Sequence, residues 1–512
     1  MPAPPLRRSG ILLHPSCLPG PHGSGDLGPA SRHFVDWLVA AGQQLWQVLP
    51  LTPIGPGNSP YASVSAFAGN PLLIALEPLV EAGWLAPPRA EECADFGQDH
   101  IDFDRVTPWR MARLRTAWQG FGARATAAQR EAFSRWSTGQ AGWLDDYALF
   151  MALDAEARAL HGQHDWTGWE PALASRQTAA LAQARARHAD EILHWKFVQW
   201  CFDCQWTALR SYAAERGIGM VGDLPIFVAH HSADCWAHPG MFWLDARGAP
   251  AAVAGVPPDF FSATGQHWGN PLYRWDVCAA DGYAWWLARM RRQLAQADMV
   301  RIDHFRGFAA YWEIPADAPS AVHGRWRPGP GKALFERLQA GLGSLPIIAE
   351  DLGVITEDVR ALRDRFSLPG MRILQFGFGG RSDHPYLPHN YRTNSVAYTG
   401  THDNDTVVGW WNACSEAERR HVLDYLGEPN EAFHWRAIRA VSASVADTAI
   451  FPMQDVLGLD SRHRLNTPGS VGCWTWRFRW DWVGPEPAER LHQLTRTYGR
   501  VPLPPEAPAS YD

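Results

Sequence analysis

The segment Met299-Val300-Arg301-Ile302-Asp303-His304 decides the fold. It is an apolar run with one arginine embedded in it, and it stops on a carboxylate and an imidazole. A charge at the end of a buried strand is costly unless it is paired or used. Two other segments are built the same way, Ile347-Ile348-Ala349-Glu350-Asp351-Leu352-Gly353 and Tyr398-Thr399-Gly400-Thr401-His402-Asp403-Asn404-Asp405. Working outward, strands are expected at Gly10–His14, Leu45–Leu51, Gly219–Phe227, Met299–His304, Ile347–Asp351, Arg372–Phe376, Val396–Thr401 and Ala449–Met453. Most are apolar throughout, as parallel strands covered on both faces must be. Amphipathic stretches such as Ala30–Ala41, Tyr283–Ala297, Leu334–Leu342 and Thr356–Arg365 lie between them. Eight strand–helix units predict one (β/α)8 barrel over 1–512, with its chemistry on the loops that follow the strands.

Uneven spacing locates the insertions. Residues 66–216 read as a mainly helical insertion that includes Pro108–Trp118 and Ala184–Arg216, and 228–298 as a loop-rich insertion over the cleft. Met1–Pro5 and Arg500–Asp512 read as Pro-rich tails.

Composition narrows the function. The 512 residues hold 46 Lys+Arg against 53 Asp+Glu, a formal charge of −7, which argues against a nucleic-acid partner. With 46% hydrophobic and 19% charged residues, the chain suits a large buried core. No apolar stretch reaches the length of a membrane span. Arg7-Arg8 is followed only by Ile11-Leu12-Leu13, too short for the apolar core of an export signal. Eight cysteines in so long a chain make no disulfide framework, and a cytoplasmic location is expected. The 27 tryptophans suit core packing and sugar stacking alike.

Two motifs are set aside. Gly23-Ser24-Gly25-Asp26-Leu27-Gly28 fits a dinucleotide-binding GxGxxG between a strand and a helix. No carboxylate ends the following strand, Val48-Leu49-Pro50-Leu51-Thr52, so the motif reads as a tight loop. Cys201, Cys204, Cys235 and His238 have zinc-like spacing, but the first pair sits among Trp200, Phe202 and Trp206 on a helix, where cysteine serves as a small core residue. No metal and no cofactor are expected.

The carboxylates carry the chemistry. Glycosidic-bond cleavage with retention needs one ionised nucleophile and one protonated acid. Arg301 and Asp303 share a strand face, so the guanidinium keeps Asp303 ionised. Glu350, among other carboxylates, suits the acid. Asp403 beside His402 suits sugar hydroxyls and the positive transition state. The nucleophile and the acid are expected roughly 5–5.5 Å apart.

The chain resembles the 4-α-glucanotransferases (amylomaltase, disproportionating enzyme) of the α-amylase superfamily, from about Leu6 to Asn466. The likeness rests on Ser59-Pro60-Tyr61, Ser65–Pro71, Gly222-Asp223-Leu224-Pro225-Ile226, Gly255–Tyr273, Arg301–Gly307, Ala349–Gly353, Leu387-Pro388-His389-Asn390 and Gly400–Thr406. It implies Asp303 as nucleophile, Glu350 as general acid/base and Asp403 as stabilising aspartate. Tyr61, Asp223, Arg301, His304 and His402 would contact sugar, with Phe260 and Trp268 on a loop arching over the cleft. It also implies a maltodextrin donor, a glucose or maltodextrin acceptor and no separate C-terminal β-domain. His231 and Cys235 depart from the family pattern, which has an aspartate and an aliphatic residue there. A retaining α-glucan hydrolase is the alternative, and a non-catalytic glucan-binding scaffold is a remote one. Chain-length preference, cyclic products and oligomeric state stay open.

Overall fold

The computed structural model describes residues 7–93, 96–162, 165–258, 263–427 and 430–501. Among these, the strands in chain order are β1 (Arg8–Leu12), β2 (Leu45–Gln47), β3 (Gly219–Pro225), β4 (Ala252–Val256), β5 (Gln266–Pro271) and β6 (Met299–Asp303). They continue as β7 (Ala310–Pro315), β8 (Arg325–Pro328), β9 (Ile347–Ala349), β10 (Gly370–Ile373), β11 (Ser395–Tyr398) and β12 (Thr448–Pro452). β1, β2, β3, β6, β9, β10, β11 and β12 close in that order into a barrel. Every pairing in it is parallel. All eight expected strands are present, with trimmed ends. The second stops at Gln47, ahead of Pro50, and the sixth ends at Ile373 because Leu374–Gly377 winds into a 3-10 turn. Closure needs β1 and β2 close together, and a Cβ at Gly10 would sit 2.6 Å from that of Leu45.

Between β2 and β3 the main helices are Phe103–Arg124, Ala127–Gly139, Ala141–His161, Thr178–Arg187 and Ala189–Ala214. Their shared core is aromatic: Trp84, Phe121, Phe133, Phe197 and Trp200 make mutual ring contacts. The long stretch read as one helix over Ala184–Arg216 breaks at His188. His231, one of the two departures, accepts from the Trp166 backbone and sits 3.0 Å from Asp154 Oδ1, tying this helical layer to the loop after β3. Cys235 is fully buried.

The stretch after β3 is not only loop. β4 and β5 fall within it, and with the hairpin β7–β8, which follows β6, they form an antiparallel sheet in the order β5-β4-β7-β8. Gln266–Pro271 shows no apolar alternation, so its strand state comes from pairing with β4 and not from its own pattern.

The GxGxxG loop is held by its own aspartate. Asp26 Oδ1 accepts from the Gly28 amide at 3.1 Å, at the start of the helix Pro29–Ala40, where a phosphate would bind. Asp26 Oδ2 accepts from Arg110 at 2.9 Å. Arg110 is fully buried and also donates to the carbonyls of His22 and Ile74. Among the described residues, Cys201, Cys204, Cys235 and His238 form no cluster of metal-binding type.

The read of Arg500 as tail is corrected. It is fully buried and donates to the carbonyls of Arg8, Ser442, Ser444, Ala446 and Asp447, clasping the chain ahead of β12 to the start of β1. Nothing in Pro-rich composition signals such a clasp.

Arg110→Met leaves a buried carboxylate and two carbonyls without their donor. The expected loss is about 3–5 kcal/mol, read as a clear drop in denaturant midpoint. An unchanged midpoint would show that the Asp26–Arg110 pair does not hold the loop.

Candidate active site

The register between β3 and β6 sets Arg301 directly opposite Asp223. Arg301 Nη1 donates to both oxygens of Asp223, at 2.8 and 2.9 Å. Two residues on, and so on the same strand face, Asp303 Oδ1 accepts from Arg301 Nη2 at 2.8 Å. Burial works against the charge of Arg301, but Asp223 and Asp303 outweigh it and hold the guanidinium protonated. Burial raises the Asp223 carboxyl above its ordinary value against the pull of Arg301.

Glu350 follows β9 immediately, and its amide donates to the carbonyl of Ile302, which brings it alongside Asp303. Glu350 Oε2 accepts from the His304 amide at 2.7 Å and Oε1 from the Leu352 amide at 2.8 Å. His304 reaches this position in a left-handed conformation, φ +52°, uncommon for a residue with a side chain. Desolvation and the neighbouring Asp303 push the Glu350 carboxyl up to about 7, despite Arg301 and the two amides. Burial drives the His304 imidazole down to about 4, so the ring is neutral at pH 7.

The opposite wall comes from the loops after β2 and β11. Tyr61 Oη donates to Asp223 Oδ2 at 2.7 Å, lies 2.9 Å from His402 Nε2, and stacks on that imidazole with centroids 5.4 Å apart. Asp403 is half-buried, its Oδ2 3.4 Å from His402 Nε2. Its Oδ1 accepts from Asn466 Nδ2 at 2.6 Å, and its backbone carbonyl from Arg464 at 2.9 Å. Trp474 packs 5.7 Å from Tyr61 and 6.0 Å from His402. Asn466, Arg464 and Trp474 were not singled out in the sequence, because they come from an irregular segment after β12 that reaches the mouth only through the fold.

Tyr61, Asp223, Arg301, Asp303, His304, Glu350, His402 and Asp403 thus converge at the C-terminal mouth of the barrel. Trp268, on β5, reaches it edge-on to His304 with centroids 4.8 Å apart. Phe260 lies outside the described residues. Four carboxylates, one buried guanidinium and the neutral imidazole of His304 make a site for a polyhydroxylated neutral substrate.

The family described as 4-alpha-glucanotransferase matches residues 13–482. The chain belongs to the 4-alpha-glucanotransferase family. It is 47% identical to the 4-alpha-glucanotransferase of Thermus thermophilus over 504 residues, covering 97% of this chain and 99% of that one. It is 46% identical to that of a Synechocystis strain over 499 residues, covering 96% and 98%. The amylomaltase of Streptococcus agalactiae, solved with acarbose, superposes with a TM-score of 0.91 at 36% identity, covering 97% of this chain and 100% of that one. The chain is therefore an α-1,4-glucan transferase on a (β/α)8 barrel. No helix among its described residues is long and apolar enough to cross a membrane.

Arg301→Met would strand Asp223 and Asp303 side by side without a cation. The two carboxyls then titrate higher in the folded than in the unfolded chain, and such a shift costs more stability as pH rises. The variant should melt well below the parent at pH 8, with the gap closing toward pH 5 as the carboxylates take up protons. A gap that does not change between these pH values would mean that Arg301 is not what neutralises them.

Proposed function

We propose that the enzyme transfers α-1,4-glucan segments from a maltodextrin donor to a glucose or maltodextrin acceptor by a retaining double displacement. Asp303 is the nucleophile, Glu350 the general acid/base, and Asp403 stabilises the positive charge of the transition state. Tyr61, Asp223, Arg301, His304 and His402 contact the sugar, and Trp268 and Phe260 stack on it.

One observation carries this assignment. Asp303 is paired with a buried guanidinium, while Glu350 beside it is pushed up to about 7. Neighbouring carboxyls are thereby biased to opposite protonation states, the condition for this chemistry. Glu350 gives its proton to the glycosidic oxygen as an Asp303 oxygen attacks the anomeric carbon. The bond to the departing chain breaks, that chain leaves with a free 4-hydroxyl, and a glycosyl ester on Asp303 remains. Glu350, now a carboxylate, takes the proton of the acceptor hydroxyl, whose oxygen displaces Asp303. Two inversions restore the α-configuration. Asn466 and Arg464 fix Asp403 throughout. The eight cysteines, all unpaired thiols, support a reducing compartment, and we place the enzyme in the cytoplasm.

Asp303→Asn and Glu350→Gln should each lower turnover by about a hundredfold or more while the fold stays intact by circular dichroism. A variant keeping a tenth of the parent rate would refute its assigned role. The parent should convert maltotriose into glucose and longer maltodextrins with total reducing ends nearly constant. Reducing ends rising in step with glucose would mark a hydrolase. Because Glu350 must enter the reaction protonated, kcat/KM should fall as pH rises through about 7. A profile still flat at pH 9 would place the acid elsewhere.

A further inference from the structure

The β7–β8 hairpin rises from the loop after β6. On it Trp326 stands opposite Trp312, with ring centroids 5.1 Å apart and planes at 69°. Trp326 keeps 38% of its surface exposed, as much as Trp268 in the cleft at 37%. Its ring is not loose. The Arg306 guanidinium lies 3.8 Å from its centroid, well inside cation–π range. Arg306 is buried, sits three residues past Asp303, and donates to the carbonyl of Val354, four residues past Glu350. The ring is therefore fastened to both loops that carry the reacting carboxylates. Val354 itself is 55% exposed.

The side of the cleft is informative. A general acid stands next to the oxygen of the departing chain, so the departing and incoming chains pass on the Glu350 side. Trp326 is tied to that side by Arg306, which donates to the Val354 carbonyl, whereas Trp268 lies on β5 at the other edge of the sheet and meets His304. A fixed, half-exposed indole beside the path of a glucan offers a flat apolar face to the C–H face of a glucose ring.

We propose that Trp326, backed by Arg306, is a glucan-stacking platform on the acceptor side, away from the reacting bond, that favours longer acceptors over glucose. The proposal rests on Glu350 as the general acid. The competing explanation is structural: Trp326 only covers Arg306, and then all acceptors suffer alike.

The test uses α-maltotriosyl fluoride as a donor whose leaving group does not need the acceptor side. Fluoride release is followed with glucose or maltopentaose as acceptor. Trp326→Ala should raise the KM for maltopentaose about threefold to tenfold, and that for glucose by much less. Trp326→Leu keeps apolar volume over Arg306 without a flat face, so it should show the same selective rise even if the alanine variant does not fold. Trp326→Phe should restore most of the difference. Equal effects on both acceptors, or none on either, overturn the platform. Glu350→Gln separates the two claims: it should lose turnover of maltotriose about a hundredfold or more yet keep the first burst of fluoride release, because fluoride departs without a proton. Equal loss with both donors would condemn the general-acid assignment, whatever Trp326 does.

Discussion

The molecule depends on one buried cation. Arg301 lies inside a barrel strand, and its guanidinium is shared between Asp223 on the neighbouring strand and Asp303 two residues along its own. That arrangement works only in one register, because a slip of one residue would turn Arg301 to the other face and leave Asp223 unpaired. Breaking a buried pair of this kind costs several kcal/mol. The need to keep Arg301 opposite Asp223 therefore fixes β3 against β6, and the pairing of Ile302 with Ala349 fixes β9 and the start of the Glu350 loop.

Around this point the loops are tied by polar contacts that leave little freedom. The His304 amide, turned by a left-handed backbone, and the Leu352 amide clamp both oxygens of Glu350. Tyr61 links the loop after β2 to Asp223 and His402, and Asn466 brings the segment after β12 onto Asp403. All but the Leu352 contact, which is local to the Glu350 loop, join segments from different barrel strands, so the mouth is positioned by the rigid barrel and cross-braced by its own side chains.

How much of this was legible follows from what is local. An apolar run ending in a charge is a local signal, so all eight barrel strands and the carboxylates at their ends were readable. The stretch after β3 read as loop because β5 becomes a strand by pairing and lacks the pattern of one. Asn466, Arg464 and Trp474 were missed because a polar, Gly-rich segment gives no hint of where it lands. Arg500 reads as tail because a Pro-rich stretch follows it, while its role comes from carbonyls 53 to 58 residues before it and from Arg8 at the other end of the chain. The tryptophan count pointed to sugar only weakly, and many of these rings pack the helical layer and the barrel flank.

The asymmetry between the two reacting carboxyls is also a matter of where Arg301 places its donors. One nitrogen faces Asp223 and the other Asp303, so each of those carboxylates has a full cation as its hydrogen-bond donor. Glu350 receives no nitrogen of Arg301 and holds only two backbone amides, dipoles instead of a full charge. Desolvation acts on Glu350 and the charge of Asp303 repels its ionised form, and together they favour its protonated state. On the proposed roles, esterification of Asp303 removes its negative charge, and the repulsion that added to desolvation in favouring protonated Glu350 goes with it. Glu350 is then freer to remain a carboxylate, the state in which it can accept a proton from an incoming hydroxyl. The switch from acid to base thus needs no movement of either residue, because the covalent step itself changes the field that sets the proton affinity.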